Sequence, residues 1–145
     1  MIENLFTEQT VLLDVEEAVR RGGAMFATAG NTTAQYADAM VKTVKETGSY
    51  IVIAPGLAMP HARPECGVKK LGMGLMRLKH PVAFGHEEYD PVDLLIFLCA
   101  TDHSSHIAAL AELMQLIEDE PFWQRVRSGM TKQEILDYIR CKDFQ

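Results

Sequence analysis

The sequence is poor in the features that several common protein classes need. Its longest uninterrupted apolar run, Leu94 to Ala100, falls well short of the roughly 18 residues that span a bilayer. The opening Met1-Ile2-Glu3-Asn4 has no basic n-region, so no secretory signal is predicted and the chain is expected in the cytoplasm. Cations are scarce: 14 Lys and Arg stand against 20 Asp and Glu, a net charge of −6. Binding to a phosphate backbone needs a surplus of Lys and Arg on one face, so nucleic acid is not an expected partner. The three cysteines, Cys66, Cys99 and Cys141, are odd in number and form no Cys-x-x-Cys pair, which disfavours a disulfide framework and a zinc ribbon alike. Reduced thiols are expected, with Cys99 a small core residue inside an apolar run and Cys66 a loop thiol. Internal repeats, linkers and low-complexity stretches are absent as well.

What remains is enough for one domain. The 145 residues are 48% hydrophobic and 23% charged, ordinary globular usage, and a chain of this length buries about two thirds of its unfolded surface around one core. Thr10 to Val15 reads as a short first strand or an extended lead-in. Val15, Ala18, Val19, Met25 and Phe26 then recur at helical spacing, with Gly30 as the stop. Gly22-Gly23 inside that helix costs about 1 kcal/mol per glycine relative to alanine, which predicts a close packing contact or a break. Thr32 with Gln35 reads as a capping box opening a second helix, whose stripe is Tyr36, Met40, Val41 and Val44 and whose stop is Gly48.

Ile51 to Ala54 reads as a strand. Leu71 to Leu78 reads as another, turning at Lys79-His80-Pro81 into Val82 to Phe84 to make a hairpin, and its Gly72-x-Gly74 lacks the third glycine and the helix of a dinucleotide loop. His80 and His86 are expected as solvated turn residues, and Gly85 to Pro91 as a surface loop. Val92 to Ala100 is apolar on both faces, which predicts a central strand covered on each side by helices; Asp93, at its start, should pair with a backbone amide or a cation. Ser104 or Ser105 can cap the next helix, with Ile107, Leu110, Met114 and Ile117 facing the core and Pro121 ending it. A short helix with Pro121 at its first position and Gly129 after its end follows. Thr131 and Glu134 then form a capping box for a last helix burying Ile135, Leu136 and Ile139. The expected fold is α/β, one domain over residues 1–145, with a mixed parallel and antiparallel sheet flanked by helices on both faces.

Chemistry concentrates in Ile53-Ala54-Pro55-Gly56-Leu57-Ala58-Met59-Pro60-His61-Ala62-Arg63-Pro64. Its three prolines fix φ and remove amide donors, so the backbone is neither helix nor ladder strand and holds one imidazole on a stiff loop. Imidazole accepts and releases a proton, a metal or a phosphoryl group near neutral pH, although an ordinary loop histidine fits the pattern too. A second polar stretch, Thr101 to His106, puts His106 in the first turn of a helix. There the positive end of the helix dipole disfavours the imidazolium and suits a neutral ring donating to an anion. His103 and His106 have a spacing that a metal pair could use, but no further ligand cluster at metal spacing accompanies them.

Reading back from His61, the residues Pro60, Met59, Ala58, Leu57, Ala54, Ile53 and Glu46 resemble the phosphorylation-site signature of the fructose/mannitol class of IIA components of the bacterial sugar phosphotransferase system. The string Ile53 to Pro64, with Gly67-Val68-Lys69-Lys70 and Asp90-Pro91-Val92-Asp93, resembles more narrowly the ascorbate type within that class, over about residues 7 to 140. The resemblance implies one type 2 IIA domain that takes a phosphoryl group on His61 from the histidine-containing phosphocarrier protein. It passes that group to a cysteine of a cognate IIB component, serving indirectly a membrane IIC component for uptake of ascorbate or a related sugar. No metal and no organic cofactor is implied.

His106 matches the family's second active-site histidine. In mannitol relatives an arginine assists from a position that falls on Lys45 here. Amides near Ser105 are candidate donors to the phosphoryl group, and Arg63 is a candidate for neutralising its charge. Leu57 and Met59 are expected as surface residues at the centre of a weak docking interface, rimmed by acidic side chains. Two alternatives remain: a phosphorylation-controlled regulatory module of the same family, and a metal-dependent hydrolase built on His61, His103 and His106.

Overall fold

Leu94, Ile96 and Leu98 alternate with Leu95, Phe97 and Cys99, and every one of them is at most 1% exposed. A strand buried on both faces needs a helical layer on each, and the computed structural model has that architecture. It describes residues 7–10 and 15–142. The strands are β1 (Thr7–Thr10), β2 (Val52–Ala54), β3 (Leu57–Ala58), β4 (Gly72–Val82) and β5 (Val92–Cys99), in the sheet order β1-β4-β5-β3-β2. β1 with β4 and β3 with β5 are parallel, whereas β2 with β3 and β4 with β5 are antiparallel. The helices are α1 (Val15–Ala29), α2 (Gln35–Thr47), α3 (His103–Ile117), α4 (Glu120–Arg127) and α5 (Lys132–Cys141). The mixed sheet with helices on both faces is thus as expected. Among the described residues no helix is long and apolar enough to cross a membrane.

One layer sets Ala18, Val19 and Phe26 of α1 and Tyr36, Met40 and Val44 of α2 against Met76, Leu95 and Phe97. The other sets Leu113 and Leu116 of α3, Phe122 and Val126 of α4, and Ile135 and Ile139 of α5 against Leu75, Leu94, Ile96 and Leu98. The Gly22-Gly23 pair leaves α1 unbroken, because both glycines are contact points. A Cβ at Gly22 would run into the Phe97 ring, and one at Gly23 into Ala37 of α2.

Several expectations are corrected. The first strand is Thr7–Thr10, earlier than predicted, and residues 11–14 lie outside the described ones. No hairpin forms between Leu71 and Phe84: β4 runs through to Val82 and pairs with β5, and Lys79, His80 and Pro81 sit where the register shifts between Arg77 and Val82. A bulge accommodates proline because the residue there needs no ladder amide. The Thr32–Gln35 capping box is absent; α2 starts at Gln35 after Ala34 with no side-chain cap, and Thr32 is buried in a bridge to Val68.

α3 is capped by Asp102, whose carboxylate accepts from the Ser105 amide, and not by Ser104 or Ser105. Its buried stripe is Ala109, Leu113 and Leu116, with Leu110 and Ile117 partly buried, while Ile107 is 66% and Met114 50% exposed. A helix apolar around most of its circumference offers the sheet more than one face, and periodicity does not choose between them. Pro121 falls at the second position of α4, after the Asp119 cap. The Thr131–Glu134 capping box forms as predicted, with reciprocal bonds of 3.1 and 3.2 Å. Asp93 finds its cation: Arg127 Nε lies 3.0 Å from Oδ2, and the same guanidinium reaches the Pro55 carbonyl. Gly56, at φ 71°, sits where a Cβ would press on that pair. His80 is exposed as expected, but His86 is not merely solvated; its Nδ1 accepts from the Glu88 and Tyr89 amides, and its ring stacks on Tyr89.

Candidate functional site

His61 owes its position to the way β3 ends. After Ala58 the chain continues beside β5, with the Met59 amide donating to the Ile51 carbonyl at 2.8 Å and His61 bridging Leu98 in parallel register. Pro60 and Pro64 prevent a regular strand from carrying on. The Tyr36 hydroxyl of α2 reaches this segment from beneath: it accepts from the Ala62 amide at 3.0 Å and lies 2.8 Å from the Leu98 carbonyl and 3.2 Å from that of Ala62. His61 therefore emerges between the two helical layers.

There it lines a cleft of about 290 Å³ with Ala62, Arg63 and Pro64, with Thr43, Glu46 and Thr47 from α2, and with His103 and His106 from the start of α3. The His61 and His106 ring centroids are 5.6 Å apart, with planes at 45°. His61 Nδ1 lies 3.0 Å from the Met59 carbonyl. A carbonyl can only accept, so Nδ1 carries a proton, and in the neutral ring the lone pair is then on Nε2. His106 is held below the ordinary histidine pKa, first by burial and then by the nearby charges of His61 and His103 when they protonate. It is neutral at pH 7 and has a ring N–H to donate.

The remaining residues singled out by sequence are less well placed. Lys45 does not line the cleft: Thr43, Glu46 and Thr47 share one face of α2 at i, i+3 and i+4, whereas the Lys45 ammonium pairs with Glu16 of α1 at 2.8 Å. The Ser105 amide is already bonded to Asp102 at 2.7 Å and the His106 amide to the Asp102 carbonyl at 3.0 Å, so neither is a spare donor. The same Ser105 amide holds the Asp102 carboxyl below the usual carboxylate range. Leu57 and Met59, expected at the surface, are 3% and 8% exposed and belong to the core beneath α3 and α4. β3 lies between β5 and β2 with a helical layer on each face, which buries its side chains. Arg63 is exposed at the rim.

The Thr43 and Thr47 hydroxyls donate to the Ala39 and Thr43 carbonyls of their own helix. Sequence reasoning passed over the Tyr36 hydroxyl by counting Tyr36 only as stripe; a buried phenol needs a partner, and that was the available signal. Exposed Ile107 and Met114 were assigned to the core for the reason given above. Among the described residues no three of His, Cys, Asp and Glu could hold a metal ion, so the hydrolase reading has no geometric support.

Comparison with known proteins shows the family. The chain is 45% identical over 125 residues to the ascorbate-specific PTS system EIIA component of Salmonella choleraesuis, covering 86% of this chain and 81% of that one. Among solved structures, the mannitol-specific cryptic phosphotransferase enzyme IIA CmtB of Escherichia coli superposes with a TM-score of 0.75 at 32% identity, covering 90% of each chain. The Escherichia coli enzyme IIAMtl, solved in complex with phosphorylated enzyme IIBMtl, superposes with a TM-score of 0.79 at 26% identity, over 97% of this chain and 96% of that one. Residues 2–142 match the family described as phosphoenolpyruvate-dependent sugar phosphotransferase system, EIIA 2. The histidine cleft therefore belongs to a phosphotransfer protein, and the chain is a member of the EIIA 2 family of the sugar phosphotransferase system.

Proposed function

We propose that this chain is a phosphoryl carrier in which Nε2 of His61 is the acceptor. The observation that carries the reading is the bond from His61 Nδ1 to the Met59 carbonyl, which aims a free Nε2 lone pair into a cleft shared with a neutral His106. The donor is the phosphohistidine of the histidine-containing phosphocarrier protein. As its N–P bond breaks, a new N–P bond forms at His61 Nε2. In the second step the thiolate of a IIB cysteine attacks phosphorus, the P–S bond forms, and the electron pair returns to Nε2. Such transfers pass through loose, anionic transition states, so catalysis is mainly positioning and charge stabilisation. His106 donates its ring N–H to a phosphoryl oxygen, and Arg63 at the rim offsets charge.

Partners dock on the exposed apolar positions of α3, Ile107 and Met114, which take the place expected of Leu57 and Met59. IIB as acceptor is supported by the complex formed by the Escherichia coli mannitol relative, and ascorbate or a related sugar as cargo by the ascorbate-specific relatives. The membrane IIC component is then served indirectly, from the cytoplasm. Those relatives favour transport over a purely regulatory module.

The test is phosphorylation by phosphoenolpyruvate, enzyme I and the phosphocarrier protein, read by intact mass. Wild type should gain one acid-labile phosphoryl group that His61→Ala cannot accept. Equal labelling of His61→Ala would sink the assignment.

A further inference from the structure

We propose that Tyr36 is a positioning residue for the relay, its buried hydroxyl fixing the segment that carries His61. The proposal rests on the reading of His61 as phosphoryl acceptor. Tyr36 is fully buried, with its ring edge-on to Phe26 at a centroid distance of 6.3 Å. A phenol has one proton and two lone pairs. The Ala62 amide takes a lone pair at 3.0 Å, and the proton goes to the Leu98 carbonyl at 2.8 Å. The oxygen therefore joins the residue after His61 to the central strand and ties both to α2. Burial pushes the ionisation of the phenol up, so the donor persists through the neutral range.

The segment has few other ways to hold on. Pro60 and Pro64 supply no amide, and the bond from the Leu98 amide to the Pro60 carbonyl is long, at 3.5 Å. The Ala62 amide is the donor nearest to His61 on its C-terminal side. On the N-terminal side the Met59 amide is anchored to the Ile51 carbonyl at 2.8 Å, and the Met59 carbonyl in turn orients the imidazole. His61, itself bridged to Leu98 in parallel register, thus stands between the Met59 pairing on one side and the Tyr36 hydroxyl on the other. Releasing one would let the ring drift in the cleft, and displacements on the order of 1 Å at a reacting group can cost about 100-fold in rate.

Tyr36→Phe removes the oxygen and keeps the ring. Folded protein is verified by circular dichroism, single-turnover phosphorylation is measured against phosphocarrier concentration, and imidazole nitrogen NMR reports the His61 tautomer. The expected result is a rate constant lower by roughly tenfold or more with unchanged half-saturation. The His61 signals should move from the pure Nδ1–H form toward a mixture while those of His80 and His86 stay put. Ile139→Ala, a cavity in the opposite layer, serves as a destabilised control and should match wild type in both readouts.

A Tyr36→Phe variant with the wild-type rate and spectrum overturns the proposal while leaving the relay intact. So does equal slowing in Ile139→Ala, or loss of the fold in Tyr36→Phe, since either reduces the hydroxyl to a contribution to stability. If wild type accepts no phosphoryl group, the relay reading fails. The clamp is then judged on the His61 spectrum alone, which must still move in Tyr36→Phe for the proposal to survive.

Discussion

The imidazoles of His61 and His106 meet across the cleft at a centroid separation of 5.6 Å, one on the continuation of β3 and the other in the first turn of α3. Partial burial disfavours protonation of His106 first, and the neighbouring His61, when it carries charge, adds to the penalty. His106 is therefore neutral near pH 7, with a ring N–H available as a donor.

Removing the donor should slow transfer without abolishing it. His106→Ala is expected to accept phosphate on His61 with a rate constant lower by on the order of 100-fold, the usual cost of one preorganised donor. Rapid-quench measurement of single-turnover phosphorylation checks this, and a wild-type rate in His106→Ala would remove His106 from the mechanism.

The same depression has a consequence for stability. His106 binds a proton less readily in the folded state than unfolded, so the unfolded state takes up more protons as pH falls through and below the ordinary histidine value. Stability should rise with pH over that window and be fully present above it. Urea titrations between about pH 7 and pH 5 should show wild type losing stability more steeply than His106→Asn. Parallel slopes would contradict the shift.

A docking surface on α3 predicts a split in kinetic parameters. Ile107→Asp and Met114→Asp alter exposed positions, and exposed substitutions usually change stability by less than about 0.5 kcal/mol. Each should raise the half-saturation concentration for the phosphocarrier protein, while the maximal rate and the unfolding midpoint stay near wild type. An unchanged half-saturation in both variants would place the interface elsewhere.

The α1 glycines predict a steric effect far from the site. Gly22→Ala would gain helix propensity, by about 1 kcal/mol in an open helix, but its methyl would collide with Phe97. Overpacking of this kind costs typically about 1–3 kcal/mol, so a lowered denaturation midpoint is expected in spite of the better helix former. A raised midpoint would mean that the Phe97 ring yields without cost.

Much of this architecture could be read in the chain. The unbroken apolar run of β5 announced a strand covered on both faces, Thr131 with Glu134 announced α5, and the proline-rich loop singled out His61. The failures have physical causes. Thr32 and Gln35 have the composition of a capping box, yet Thr32 is drawn into a buried bridge with Val68. Lys79-His80-Pro81 has turn chemistry, but β4 resumes its pairing with β5 at Val82, so the three residues sit in a register shift instead. Lys45 was placed by counting along the chain, and helical rotation carried it to Glu16.

Local chemistry was thus settled in the amino-acid sequence: which imidazole a stiff loop presents, where φ is locked, which strand is apolar throughout. Proximity was decided only in three dimensions. His61 and His106, Tyr36 and Ala62, and Arg127 and Asp93 are far apart along the chain, and each pair meets because sheet order and layer packing fold distant segments onto one another. The choice between the faces of α3 was made in the same way. Leu113 rather than Met114 faces the sheet, since with apolar side chains around most of the helix only the shape of the opposing surface could select one.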